Sequence, residues 1–150
     1  MAYAEYRHRM PLRVRWAEAD MQGVVFNAHY LTYCDLCVTE YWRALGLRYP
    51  EDFLAQGADT FVRKAQIEYH AAARFDDELE ICGRTARLGR SSLRFVVEMF
   101  RRGDRGTALI GAELIYVSAD PATKTAVPWG PAFRDRVRAF EVVAPEEARG

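Results

Sequence analysis

The chain has little lysine, no net charge and no long apolar run, and each shortage sets a class of function aside. All but two of its 21 positive charges are arginine, the exceptions being Lys64 and Lys124. Lysine plus arginine equals aspartate plus glutamate, so the net charge over 150 residues is zero. A dedicated nucleic-acid binder usually carries a basic excess on one face, and no such partner is expected. The arginine excess reads either as a composition bias or as guanidinium groups meeting phosphates, which they fit better than an ammonium does. No apolar run approaches the ~18 residues needed to cross a bilayer. The N-terminal MAYAEYRHRMPLRVRW lacks the apolar stretch of a signal peptide. A cytoplasmic protein with no membrane insertion is the expectation. Cysteine is also scarce: Cys34, Cys37 and Cys82 are an odd count that suggests no disulfide framework. Cys34 and Cys37 form a C-x-x-C, but redox pairs sit where a strand meets a helix N-terminus, and this pair falls two turns inside a predicted helix. Zinc would need further ligands, and neither a second C-x-x-C nor an H-x-x-x-H is present. The pair reads as core packing, with no metal site. A nucleophile elbow is missing too, because Gly89-Arg90-Ser91-Ser92-Leu93 departs from G-x-S-x-G at its last position.

What is present suits one domain over 1–150, half of it apolar and able to bury a real core. Leu12, Val14 and Trp16 alternate with Arg13 and Arg15 as a half-buried strand, with Pro11 at its start. Asn27 reads as an N-cap and Gly46 as the residue just past a helix end. Between them Tyr30, Leu31, Cys34, Cys37, Val38, Tyr41, Trp42 and Leu45 recur at spacings of three and four, within an arc of roughly 140°. A helix from Ala28 to Leu45 would be roughly 27 Å long. A short helical turn is expected around Glu51 to Ala55. Strands follow: one in which Phe61, Ala65, Ile67 and Tyr69 share a face, then Leu79 to Leu88, Leu93 to Arg101 and Thr107 to Ser118. Residues 102–106 make a hairpin-type loop. A turn at 120–123, an edge strand at 125–127 and a helix within 128–140, with Pro131 in its first turn, complete the order, and residues from about 144 are expected to fray. One helix among five or six strands packs most economically inside a curved antiparallel sheet, an α+β arrangement. Its bare face and open edge are most naturally covered by a second subunit.

Asp20 falls in the loop between the first strand and the long helix, where functional residues concentrate. Glu18 competes for any role, and both acids also read as solvated loop residues. Three neighbours favour Asp20. Gly23 lets the backbone pass close to a ligand, Val24, Val25 and Phe26 supply an apolar wall, and the N–H groups near Asn27 and Ala28 are unsatisfied helix-start donors. Together these resemble a small oxyanion hole beside a carboxylate.

The stretch WAEADMQGVVFNAHY, running into the helix, resembles the hotdog-fold acyl-CoA thioesterases of the 4-hydroxybenzoyl-CoA thioesterase type. Asp20, Gly23, Val24, Val25 and Tyr30 match that pattern residue by residue. IEYHAAARFDDEL resembles the family's Y-x-x-P-A-x-x-x-D-x-L connection through Tyr69, Ala72, Ala73, Asp77 and Leu79. Ala72 replaces the usual proline, which should loosen the connection. The resemblance covers roughly residues 10–130. It implies a hotdog fold and hydrolysis of an acyl-CoA thioester, with Asp20 as nucleophile or general base and the backbone N–H of Asn27 on the thioester oxygen. Asn27 stands where a related branch carries histidine, so no imidazole base is expected there, and His29 faces another side of the helix.

Substrate contacts are expected from Val24, Val25, Phe26, Tyr30, Asp35, Arg90 and Ser91. Asp35 borders the apolar stripe and is either a solvated acid or the polar end of an acyl pocket. Arg87, Arg90 and Arg74, with Ser91 and Ser92, are candidates for the phosphates of coenzyme A, which enters as part of the substrate with no separate cofactor. In hotdog dimers the site lies between subunits, so a homodimer or homotetramer is implied. A hotdog hydratase or dehydratase and a non-catalytic acyl-CoA-binding module are the alternatives.

Overall fold

The computed structural model describes residues 3–147, and its longest helix, α1 (His29–Ala44), forms where the periodicity places it. Its C-terminal end is closed by Gly46, whose φ of 79° few other residues adopt. The N–H of Gly46 donates to the Arg43 carbonyl (2.9 Å) and that of Leu47 to Trp42 (3.0 Å), a Schellman arrangement. The N-terminal end departs from expectation: Ala28 occupies the cap position, and no side chain, that of Asn27 included, caps the helix. The buried stripe also shifts. Tyr33 is fully buried while Leu31 is 44% exposed, because the first turns of α1 are covered on one side only.

The sheet runs β1 (His8–Arg13), β3 (Glu78–Leu88), β4 (Ser92–Arg101), β5 (Ile110–Ala119) and β2 (Asp59–Tyr69) in spatial order, with all these neighbours antiparallel. The first strand therefore starts earlier than the alternation suggested, and Pro11 sits inside it. That is tolerable on an edge, where its missing N–H faces no partner. Trp16 belongs to a 3-10 turn (Trp16–Glu18) and is 82% exposed, so it is not a strand residue of the core. β5 likewise starts later than expected. A short helix α2 (Glu51–Leu54) precedes β2, and α3 (Pro131–Phe140) starts at its proline. Residues 125–127 do not form a strand: Ala126 makes only an isolated bridge to Ala119. Fraying is not seen as far as Glu147. A two-residue β6 (Glu146–Glu147) pairs parallel to β3, and Glu147 accepts from both Arg134 and Arg138. Residues 148–150 lie outside the described residues.

Two bulges, between Val62 and Lys64 and between Thr85 and Arg87, bend the sheet around α1. The first also reverses the parity of β2. Ala65, Ile67 and Tyr69 pair with the core-facing Leu114, Ala112 and Ile110, but before the bulge it is Val62, opposite Tyr116, that shares their face. Phe61 therefore lies on the other face, contrary to the simple alternation. Helix and sheet pack tightly at Gly83 on β3, where a Cβ would fall 2.5 Å from the Phe95 ring and 2.8 Å from Cys37 Sγ. This explains the C-x-x-C. Cys34 and Cys37 are small, fully buried and unpaired beneath the sheet, and burial pushes the Cys34 thiol up to about 12, with Asp35 adding to it. The result is an α+β hotdog arrangement, a curved antiparallel sheet around one helix. On the outer face Tyr3 and Tyr6 pack on Cys82 and Phe100, while the long edge strand β2 is exposed along most of its length. No helix among the described residues is long and apolar enough to cross a membrane.

Candidate active site

Asp20 sits at the tip of a tight reversal in which Gly23 donates its N–H to the Asp20 carbonyl (3.0 Å) and Asp20 donates its own N–H to the carbonyl of Val24 (2.9 Å). Gly23 takes φ 76°, the left-handed residue that follows a type I turn in such loops. The Gln22 N–H donates to Asp20 Oδ1 (2.8 Å). No described donor occupies the second carboxylate oxygen.

The returning arm is pinned to the connection between β2 and β3. Val25 donates its N–H to Ala73 (2.8 Å) and Val24 bridges Arg74. Buried Tyr30 accepts the Ala73 N–H on its hydroxyl (3.0 Å), and burial pushes that phenol up. Tyr69 stands edge-on to Tyr30, with ring centroids 5.7 Å apart, and donates its hydroxyl to the Asn27 carbonyl (3.3 Å). Where Ala72 replaces a proline, Arg101 donates to the Ala72 carbonyl (2.8 Å) and to Asp77 (3.2 Å), tying that connection to β4. The result is a cleft of about 290 Å³ whose walls include Asp20, Val24, Val25, Asn27, Tyr30 and Tyr69. At its helix side the N–H groups of Asn27 and Ala28 meet no acceptor among the described residues.

A second hollow of about 390 Å³ begins at Ala28 and follows α1 past Leu31, Thr32 and Asp35 against Val62, Leu114 and Tyr116. Asp35 is thus placed in an apolar groove that opens beside the helix start. Burial, and after it the Asp35 carboxylate, pushes the Tyr116 phenol up.

Three expected members of the site are elsewhere. Phe26 is not part of the cleft wall: its ring is half exposed and packs edge-on against His29, centroids 5.9 Å apart. Arg90 and Ser91 lie in the turn between β3 and β4, where their carbonyls accept the N–H of Trp129 and Ser118. Asp20 neighbours the opposite end of the same strands, so one strand length, about 30 Å at ~3.3 Å per residue, separates them within the chain. Arg87 pairs with Glu146 (3.8 Å), and Arg74 is exposed beside Val24. His70, which the sequence did not single out, edges the cleft. Its Nε2, however, lies 3.7 Å from the Glu68 carboxylate and over Gly111 on the outer face. No group of three or more His, Cys, Asp or Glu among the described residues could hold a metal ion.

Comparison with known proteins identifies the family and the fold. The family model of the Thioesterase superfamily matches residues 22–108. The acyl-CoA thioester hydrolase YbgC of Escherichia coli O6:H1 is 33% identical over 113 residues, spanning 75% of this chain and 82% of that protein. The solved structure of the PA5185 protein of Pseudomonas aeruginosa superposes with a TM-score of 0.82 at 26% identity, covering 95% of this chain and 97% of that one. A Thermus thermophilus thioesterase, solved with coenzyme A and Zn, superposes with a TM-score of 0.77 at 25% identity, covering 91% and 96%.

Proposed function

The chain belongs to the thioesterase superfamily, and from that footing we propose that it hydrolyses a small or medium acyl- or aroyl-CoA thioester with Asp20 as its catalytic carboxylate. The observation that carries this is the pairing, in one cleft, of a carboxylate with an unoccupied oxygen and the bare N–H groups at the start of a 16-residue helix. A thioester carbonyl oxygen on the Asn27 N–H is polarised by the positive end of the helix dipole. Asp20 then either attacks the carbonyl carbon, giving an anhydride that water opens, or takes a proton from the attacking water. On either path the tetrahedral oxyanion collapses, the carbon–sulfur bond breaks and coenzyme A leaves as the thiolate. Gly23 keeps the loop tight enough for Asp20 to face the carbonyl. No metal or organic cofactor is needed for these steps.

The acyl group is read into the groove that starts at Ala28, beside the cleft walled by Val24, Val25 and Tyr30, and that reaches Asp35 about 10 Å further along α1. A carboxylate there favours acyl groups ending in a hydrogen-bond donor. Arg90 and Ser91 are read as coenzyme A contacts made across a subunit interface. The open β2 edge, with Val62 and Leu31 exposed beside it, suits antiparallel pairing with a second copy, as a homodimer or within a homotetramer. A two-fold axis there reverses the partner sheet and brings its far end alongside the Asp20 cleft.

The test is a hydrolysis assay across short, long and aromatic acyl-CoAs, with Asp20→Asn as the control. The variant is expected to lose at least ~100-fold in kcat, the scale of a lost general base. A folded Asp20→Asn protein with unchanged kcat would overturn the assignment.

A further inference from the structure

Glu18 takes no part in those steps, yet it is more deeply buried than Asp20, at 7% exposure. Its Oε1 accepts the backbone N–H of Arg15 (2.8 Å) and its Oε2 accepts the Arg15 guanidinium (2.8 Å). Burial pushes this carboxyl up, but the Arg15 side chain, the Arg15 N–H and the Tyr33 hydroxyl outweigh it and hold it below its ordinary range. The Tyr33 hydroxyl is buried and within electrostatic reach of Glu18 without a hydrogen bond of regular geometry. A carboxylate so engaged is not free to act as a base.

The backbone of Glu18 is equally committed. Its carbonyl accepts the N–H of Phe26 (2.9 Å), Ala19 bridges Val25, and Asp20 donates its N–H to Val24. Residues 18–20 and 24–26 are therefore two arms of one short antiparallel ladder. Asp20 is at its tip, and Asn27 follows directly on its returning arm. The Glu18 side chain closes the 3-10 turn at the foot of that ladder, so any shift of Glu18 moves the carboxylate and the helix-start N–H together or apart.

We propose that Glu18 is a positioning residue, a buried clamp that sets the Asp20 carboxylate against the Asn27 N–H. The proposal rests on the thioesterase reading above. Its effect is expected in kcat and not in binding, because misplacing reacting groups by about 1 Å can cost on the order of 100-fold.

Four proteins test it: Glu18→Gln, Glu18→Ala, Asp20→Asn and the double variant Glu18→Gln/Asp20→Asn. Steady-state hydrolysis of an acyl-CoA is measured together with amide hydrogen exchange at Asp20 and Phe26. Glu18→Gln keeps the shape and one acceptor, so it reports even where Glu18→Ala does not fold. The expected result is a roughly tenfold lower kcat for Glu18→Gln with KM within about threefold, and faster exchange at both amides. In the Asp20→Asn background the same change should cost nothing further, since Glu18 acts through Asp20. An unchanged kcat in folded Glu18→Gln and Glu18→Ala proteins overturns the proposal. So does a Glu18→Gln protein that is inactive while Asp20→Asn stays active, which would make Glu18 itself the reacting acid and the function assignment wrong as well. If the wild-type protein cleaves no acyl-CoA, the function fails on its own, and unaltered exchange at Asp20 and Phe26 would overturn the clamp separately.

Discussion

At the C-terminal end of α1 the N–H groups of Gly46 and Leu47 fold back onto Arg43 and Trp42, and Arg136 donates to the Leu45 carbonyl (2.8 Å). At the N-terminal end no side chain caps the helix, and the N–H groups of Asn27 and Ala28 meet no described acceptor. A helix end leaves four backbone groups to satisfy, and leaving them bare is costly wherever water cannot reach. The closed end is also the packed one: Trp42 contacts Tyr41, Phe53, Tyr116 and Phe133, with ring centroids 5.3–6.4 Å apart. The open end has a cleft on one side and a groove on the other. Stability is concentrated at one end of this helix, and the groups with unspent hydrogen bonds are at the other.

The largest effect should come from emptying the closed end. Trp42→Ala removes the centre of the aromatic cluster and is expected to cost about 3–5 kcal/mol of unfolding free energy. Its kcat, measured where the variant is folded, should be close to wild type. Denaturant unfolding together with the acyl-CoA assay checks both halves. Asp20→Asn is the converse experiment, with a ~100-fold loss in kcat, or about 2.7 kcal/mol in the barrier, and little change in the unfolding midpoint. If either variant moved both quantities alike, the division between the two ends would not stand.

Gly46→Ala tests the closure itself. An alanine must be forced to φ 79°, and its Cβ would lie 2.9 Å from the Arg136 guanidinium that caps Leu45. A loss of about 1–2 kcal/mol in stability is expected, the usual cost of a left-handed residue with a Cβ, again with kcat preserved. The same substitution at Gly23, also left-handed at φ 76° but with open space around its Cβ position, bears on the catalytic loop and should show in kcat.

These contrasts mark what could be read from the residues. The helix, its closing glycine and the Asp20 loop were legible because each is a local pattern whose physics acts within a few residues. Helical periodicity puts Leu31 on the stripe of α1 and leaves Tyr33 off it, because it assumes that the same side is covered along the whole length, whereas Tyr33 is buried and Leu31 exposed. Simple alternation puts Phe61 on the face of Ala65, Ile67 and Tyr69, but one inserted residue in β2 reverses it, and no residue type announces a bulge. Trp16 fitted the strand pattern but was taken by a 3-10 turn closed by Glu18, a bond that spacing alone does not reveal. Arg90 and Ser91 were legible as residue types suited to phosphate. That they lie a strand length from Asp20 follows from the sheet order, which no short motif encodes.

The smallest expected effect lies behind the closed end, where Glu141 is buried against α1. It accepts the Tyr41 hydroxyl (2.7 Å) and the Thr85 N–H (2.6 Å), and Tyr41 shares a further hydrogen bond with Thr85 (2.8 Å). Burial pushes the Glu141 carboxyl up, against the opposing pull of those bonds and of Arg84 and Arg7. A raised folded-state value means that the folded protein holds this proton more tightly than the unfolded chain does. The stability it contributes is therefore complete below the ordinary glutamate range, near about 4.3, and is lost as pH rises through the folded value. His8, whose ring stands 5.5 Å from Tyr41 and whose Nε2–H donates to the Cys37 carbonyl at 2.9 Å, is shifted the other way. Burial lowers it, so its contribution is present above the ordinary histidine range and is lost as pH falls through its folded value. Glu141→Gln keeps an acceptor for Tyr41 and Thr85 but cannot ionise. It is expected to be less sensitive than wild type to rising pH above the ordinary glutamate range, while the acid limb set by His8 is unchanged. Urea unfolding across that rise in pH measures the difference, and parallel curves for the two proteins would show that Glu141 is ionised in the fold and that the closed end is not sealed by a protonated acid.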